Sequence, residues 1–224
     1  MSAKKKSKKK LNLSVDEWNV VYRPHGKIPP DAKWTKAPHQ IEDVYNLEDA
    51  LLVGTIFITM LNHADRVKIA CQAQLANVIA PIMTSDKGAW RQTIFYPFMH
   101  CSKYAKGKVL KNVVDCDKYD SQNYTDVPYV SSAVVYNEED DTLVIFAVNR
   151  SLDEDILLES DLRQFDGYRV KDHIILTNDD LKAVNTEDNE AVKPESAINK
   201  SVIDGGILES AIPAHSWNVI IFGK

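Results

Sequence analysis

Two adjacent carboxylates, Asp16 and Glu17, follow Leu11-Asn12-Leu13-Ser14-Val15, where apolar and polar side chains alternate. A period of two marks a half-buried strand. The acids therefore fall at the C-terminal tip of a short strand over 11–15 and point to opposite faces of it. α/β barrels keep their catalytic groups at the C-terminal ends of strands. A surface acid or a helix cap ahead of the following loop fits the same spacing, so from the residues alone both readings of Glu17 stay open.

Other groups offer less. His63 and Asp65 are too few for a metal site of about four ligands, and they read as a helix terminus with His63 complementing the carbonyl end. His25, His39, His100, His173 and His215 are scattered singly. Cys71, Cys101 and Cys116 are odd in number and lack a Cys-x-x-Cys spacing, which suits neither a disulfide framework nor a zinc site and points to free thiols in a reducing compartment. No glycine-rich phosphate loop, Ser-His-Asp order or Cys-His pair can be assembled. No cofactor and no metal is expected.

The elements that must position Glu17 come next. From Tyr22 to Pro38 four prolines and Gly26 make a loop, with Trp34 its one large apolar residue. Ile41, Val44, Tyr45, Leu47, Leu51, Leu52, Ile56, Met60 and Leu61 recur at helical spacing and predict one long buried helix. Val67–Leu75 reads as a strand, the surroundings of Pro81, Asp86 and Gly88 as a loop, and about Arg91 to Ala105 as a second helix. After Gly107 short β-rich runs appear at Val109–Val114, Tyr129–Tyr136, Thr142–Asn149, Ile156–Glu159, Tyr168–Leu176 and Trp217–Phe222, the pattern of an antiparallel sandwich. The polar stretch Asn178–Asn199 reads as a mobile loop. The expected fold is thus α/β plus all-β, with residues 1–106 holding two strand–helix repeats and 107–224 a jelly-roll-like β-sandwich. Two repeats supply only a quarter of an eight-repeat barrel.

Composition excludes several classes. With 224 residues, 44% of them hydrophobic, the chain can pack one large or two modest domains. A net charge of −5 gives no electrostatic reason to bind nucleic acid. Lys4–Lys6 and Lys8–Lys10 lead directly into the strand pattern and read as a solvated end rather than an RNA, membrane or localisation tail. The longest apolar segment, Ala50–Leu61, is about half a membrane span and contains Gly54, Thr55 and Thr59. No apolar stretch follows the lysines as a secretory signal requires, so a soluble, cytoplasmic protein is expected.

Asp16-Glu17-Trp18-Asn19-Val20 followed by Tyr22 resembles the nucleophile motif of the family 51 glycoside hydrolases, the intracellular α-L-arabinofuranosidases. Leu47–Gly54, His63–Ala70, Gln74-Leu75 through Asn77–Ile82 and the closing Ser216–Ile220 match in order, and the similarity runs from about Lys4 to Lys224. By that resemblance the chain is the C-terminal portion of a retaining enzyme. Residues 1–106 would be the last quarter of its (β/α)8 barrel, Glu17 the nucleophile that attacks the anomeric carbon, and Gln74 a hydrogen-bonding partner of the arabinofuranose hydroxyls. Without the resemblance Gln74 is a polar strand-end residue. Trp18 would wall the pocket, whereas Val21 stands where relatives carry a second tryptophan. The acid/base glutamate lies earlier in the family's barrel and has no counterpart in this chain, so the chain alone is expected to turn over little or no substrate.

The implied substrates are terminal arabinofuranosyl residues of arabino-oligosaccharides, and the implied assembly of the complete enzyme is a hexamer. A non-catalytic carbohydrate-binding or assembly module is the alternative, with Tyr119, Tyr124 and Tyr129 as its aromatic candidates. One half of a split enzyme, with a separately made N-terminal fragment, is the other. A quarter-barrel is expected to expose the apolar faces of Leu13, Val15 and the Ala50–Leu61 helix.

Overall fold

The structure, a computed structural model, describes residues 9, 11–22, 36 and 40–224. The lysine run apart from Lys9, and Trp34, His25 and His39, lie outside the described residues. The first half comprises β1 (Leu13–Trp18), α1 (Leu47–Asn62), β2 (Val67–Gln72), a hairpin of β3 (Ile82–Thr84) and β4 (Ala89–Arg91), and α2 (Phe95–Tyr104). The second half runs through β5 (Lys108–Leu110), β6 (Lys118–Tyr119), β7 (Val127–Pro128), β8 (Val130–Asn137), β9 (Thr142–Asn149) and β10 (Ile156–Asp161). It closes with β11 (Arg169–Leu176), β12 (Glu195–Ser196), β13 (Ser201–Asp204), β14 (Ile207–Ile212) and β15 (Ser216–Gly223).

β9 and β15 are buried at almost every position because both of their faces are covered. They pair antiparallel at the centre of a six-stranded sheet ordered β12-β11-β15-β9-β8-β5. One face, with Leu143, Ile145, Ile220 and Phe222, packs on Leu208 of the three-stranded sheet β10-β14-β13 and on Leu162 and Tyr168. The other, with Val144, Phe146, Val148, Trp217 and Val219, packs on Ala50, Val53 and Phe57 of α1 and on Tyr96 and Cys101 of α2. One sheet therefore serves two cores, and the helices are its second layer.

Trp217 is the deepest link between the halves. Its ring stacks on Phe146 at 5.7 Å, and its Nε1 donates to His100 Nδ1 at 3.0 Å. Gly54 lies against its face: a Cβ there would sit 2.5 Å from Cε3 of Trp217. Only the absence of a side chain lets α1 approach so closely.

Several boundaries differ from expectation. α1 begins at Leu47, not near Ile41, because Asn46 forms a capping box with Asp49: Asn46 Oδ1 accepts from Asp49 N at 3.2 Å, and Asp49 Oδ2 from Asn46 N at 2.8 Å. Arg91 belongs to β4, and α2 starts only at Phe95. The loop around Asp86 is the turn of the β3–β4 hairpin, β2 ends at Gln72 rather than Leu75, and Val113 lies beyond β5 at 89% exposure. β13 and β14 were not foreseen, although Gly205-Gly206 between them, at φ +55° and +79°, is a two-residue hairpin turn of a familiar kind.

The sandwich covers Ala50, Leu51, Val53, Phe57 and Ile58 of the helix, so of its expected exposed apolar surface Leu52 remains open; Leu13 is exposed and Val15 partly buried. Nor is Asn178–Asn199 a featureless loop. Carbonyls of Ala183 and Leu181 accept from Leu47 N and Glu48 N, both at 3.1 Å, which satisfies N–H groups that a helix start leaves orphaned. Asn185 is buried, and β12 joins the sheet edge.

Gly54→Val should push α1 off Trp217 and lower stability by about 2 kcal/mol or more, read as a lower urea midpoint at unchanged slope. His100 offers a pH test. Burial, with the Lys103 charge, holds its imidazole neutral and lowers its pKa to about 4. Unfolded histidine titrates near 6.5, so its stabilisation is full above that pH and is lost as pH falls toward 4, by about 3 kcal/mol. His100→Phe should be less stable at pH 8, with Trp217 Nε1 unpaired, and should lose less stability on acidification to pH 4 than the parent chain in urea titrations.

Candidate active site

β1 and β2 are parallel, with Val15 opposite Ala70 and Trp18 opposite Gln72. Two residues of β1, Asp16 and Glu17, therefore face the single residue Cys71 in a bulge. Bulges re-aim side chains and recur beside active sites. The strand thus continues to Trp18 rather than ending at Val15, and the two-against-one register replaces the simple alternation expected through the acids. Both carboxylates are exposed, and Ser14 Oγ donates to Asp16 Oδ1.

Gln74 is also exposed, two residues past the end of β2, and the Ala73–Gln74 peptide is cis. Because Trp18 and Gln72 are level, Glu17 and Gln74 are brought to the same end of neighbouring parallel strands. Trp18 meets different surroundings: it is half-buried, and its indole stands edge-on to Phe57 of α1 at 4.9 Å. Neither β1 nor β2 carries a carboxylate other than Asp16 and Glu17.

Asn19 fastens this end, a role that sequence reasoning missed. Its Nδ2 donates to Ala73 O at 2.7 Å and to Ile79 O, while its Oδ1 accepts from Val20 N at 2.8 Å. Ala73 N donates to Trp18 O at 3.0 Å. Tyr22 Oη donates to Asp49 Oδ1, which ties the chain after β1 to the α1 cap. Burial first, then the hydrogen bond and charge of Asp49, raises the Tyr22 pKa.

Elsewhere a Ser–His–Asn grouping looks nucleophilic but is sealed between the two sheets of the sandwich. Asn218 Oδ1, 3.1 Å from His173 Nε2, can only accept, so His173 carries its proton on Nε2 and its Nδ1 accepts from Ser201 Oγ at 2.9 Å. His173 and Asn218 are inaccessible to any substrate, and burial lowers the His173 pKa. The three cysteines are free thiols. Among the described residues no group of three metal-ligating side chains occurs, and no helix is long and apolar enough to cross a membrane. His63 sits at the C-cap of α1, as expected. Tyr124 is exposed, while Tyr119 and Tyr129 lie ring to ring at 4.9 Å.

Residues 16–216 match the family described as the α-L-arabinofuranosidase C-terminal domain, and the chain belongs to that family. Among characterised relatives, the intracellular exo-α-(1→5)-L-arabinofuranosidase 1 of Bacillus subtilis is 52% identical over all of this chain and 45% of its own length. The corresponding Acetivibrio thermocellus enzyme is 50% identical over 100% of this chain and 45% of its own length. The chain thus spans under half the length of these relatives. A solved family 51 α-L-arabinofuranosidase from Bifidobacterium longum superposes with a TM-score of 0.86 at 32% identity, over 98% of this chain and 44% of that one. The arabinose-complexed α-L-arabinofuranosidase of Thermotoga maritima shares the fold, with a TM-score of 0.77 at 22% identity over 94% of this chain and 42% of that one.

Asn19→Leu keeps the volume of the side chain but leaves the Ala73 and Ile79 carbonyls without its amide. The variant should lose about 2 kcal/mol of stability, measured by urea unfolding. Wild-type stability in that variant would remove the fastening role.

Proposed function

We propose that the chain is the nucleophile-bearing, C-terminal part of a retaining α-L-arabinofuranosidase acting on terminal, non-reducing α-L-arabinofuranosyl residues of arabino-oligosaccharides. In this reading residues 1–106 are the last quarter of a (β/α)8 barrel and residues 107–224 its β-sandwich. The observation that carries it is the placement of Glu17 and Gln74 at the same end of adjacent parallel strands, the end at which such barrels do their chemistry. The names of the relatives at 50–52% identity support the substrate. Their description as intracellular supports a cytoplasmic setting.

Glu17, exposed at the strand end, attacks the anomeric carbon, and the glycosidic oxygen departs with a proton from a second carboxyl about 5–5.5 Å away. Water then cleaves the arabinosyl ester, with the second carboxyl acting as base. That second group is assigned to the part of the relatives this chain does not span. Gln74, able both to donate and to accept, orients the sugar hydroxyls. Trp18, half-buried beside Phe57, contributes to the pocket wall. Val21, exposed, stands where the family resemblance implies a second tryptophan. A homo-oligomer of the complete enzyme, the hexamer that the family resemblance implies, belongs to the same reading.

The test is a chimaera that joins the remaining N-terminal 55% of the Bacillus subtilis relative to this chain. It should hydrolyse an aryl α-L-arabinofuranoside, and Glu17→Gln should reduce kcat/KM by roughly a thousandfold or more, as loss of a covalent nucleophile does. Full activity in Glu17→Gln, or in the chain without the added portion, would overturn the assignment.

A further inference from the structure

We propose that Gln92 is a positioning residue. It fixes the loop after β2, which carries Gln74, against the segment after Glu17, and Asn185 of the sandwich in turn holds it. The proposal rests on the roles given to Glu17 and Gln74 above.

Gln92 is 1% exposed, and its side chain joins parts of the chain far apart in sequence. Its Nε2 donates to Asp43 O at 3.0 Å and to Ala80 O at 2.8 Å, and its Oε1 accepts from Tyr45 N at 2.9 Å. Its backbone N donates to Pro81 O at 2.8 Å. A primary amide suits this place because it must give two protons and take one; neither a carboxylate nor an amine can do both.

From Gln92 the bonds continue to Glu17's neighbours. Tyr45, fully buried, donates from Oη to Val20 O at 2.8 Å. Val20 N is held by Asn19, and Asn19 holds Ile79 O. Gln92, Tyr45, Val20, Asn19, Ile79 and Ala80 therefore form a closed ring. The loop of Gln74 is gripped by Asn19 at Ala73 and Ile79 and by Gln92 at Ala80 and Pro81. The segment behind Glu17 is gripped by the same two amides, directly or through Tyr45.

The sandwich enters one residue earlier. Asn185 Nδ2 donates to Arg91 O at 3.1 Å and to Val192 O at 2.8 Å, while its Oδ1 accepts from Val192 N at 2.8 Å. Tyr96 Oη donates to Glu190 on the same segment. The polar segment thereby fixes the end of β4, from which Gln92 projects, and the sandwich acquires a part in the geometry of the reacting groups.

Two substitutions test this. Gln92→Met keeps the shape without the hydrogen bonds, and Asn185→Ala removes only the outer support. In the chain itself, hydrogen exchange should rise about tenfold in peptides covering 17–22 and 73–81, with β9 and β15 unchanged. In the chimaera, kcat/KM should fall roughly 10- to 100-fold at temperatures well below the melting transition, since small misplacements of reacting groups cost that much. Asn185→Ala should move both readouts in the same direction by less, and it serves if Gln92→Met does not fold. A lower Tm with kcat and KM unchanged, or exchange that rises uniformly or not at all, would overturn the proposal. If the wild-type chimaera is inactive, the enzymatic assignment fails, and the exchange pattern alone decides whether the ring holds the two segments.

Discussion

The packing of Trp217 is the contact on which the rest of the molecule depends. An indole buried in β15 meets a glycine of α1, a histidine of α2 and a phenylalanine of β9, so strand–helix half and sandwich close over one side chain. Trp18 of β1 in turn rests on Phe57 of α1. The position of Glu17 is therefore inherited from Trp217 through one helix. The neutral His100 is part of the same contact: its Nδ1 must accept the indole proton, and burial makes that form the stable one.

Sequence made the central strands legible because their pattern is local. Thr142–Asn149, read as a strand, is β9, and the run Trp217–Phe222 lies inside β15. Tyr129–Tyr136 and Tyr168–Leu176 likewise came within one residue of β8 and β11. What pattern could not supply was which face met which core: the apolar continuity of β9 reflects helices on one side and a second sheet on the other, a fact held by residues of other elements. The start of α1 was missed for a different reason. Apolar spacing continued back to Ile41, but the capping box at Asn46 and Asp49 decides where a helix begins.

Of the site, Glu17 was visible as an acid at a strand end and Gln74 only through resemblance to a family. The bulge that sets Asp16 and Glu17 against Cys71 is invisible in either strand alone, because register belongs to the pair. Asn19 and Gln92 were hidden for the same reason: their partners are backbone carbonyls and amides, identical at every residue, and for Asn19 they lie 54 and 60 positions away. Gln92 sits between Arg91 and Thr93 and nothing local marks it; its burial does. Polar side chains buried without partners are costly, so one in such a place announces hydrogen bonds still to be found.

The segment Asn178–Asn199 shows how composition misleads when read without the groups it serves. Its residues cannot build a core of their own, which is why they resemble a mobile loop. Their carbonyls instead meet the orphan N–H groups at the start of α1, and Asn185 meets the end of β4. A segment that satisfies other elements' backbone groups needs few apolar side chains, since each such bond spares a buried donor the cost of going unpaired. The polar strap, the helix cap and the buried amide of Gln92 are in this sense one device. Each removes an unpaired polar group at the seam between sandwich and strands, and together they leave the end of β1 with little freedom to move.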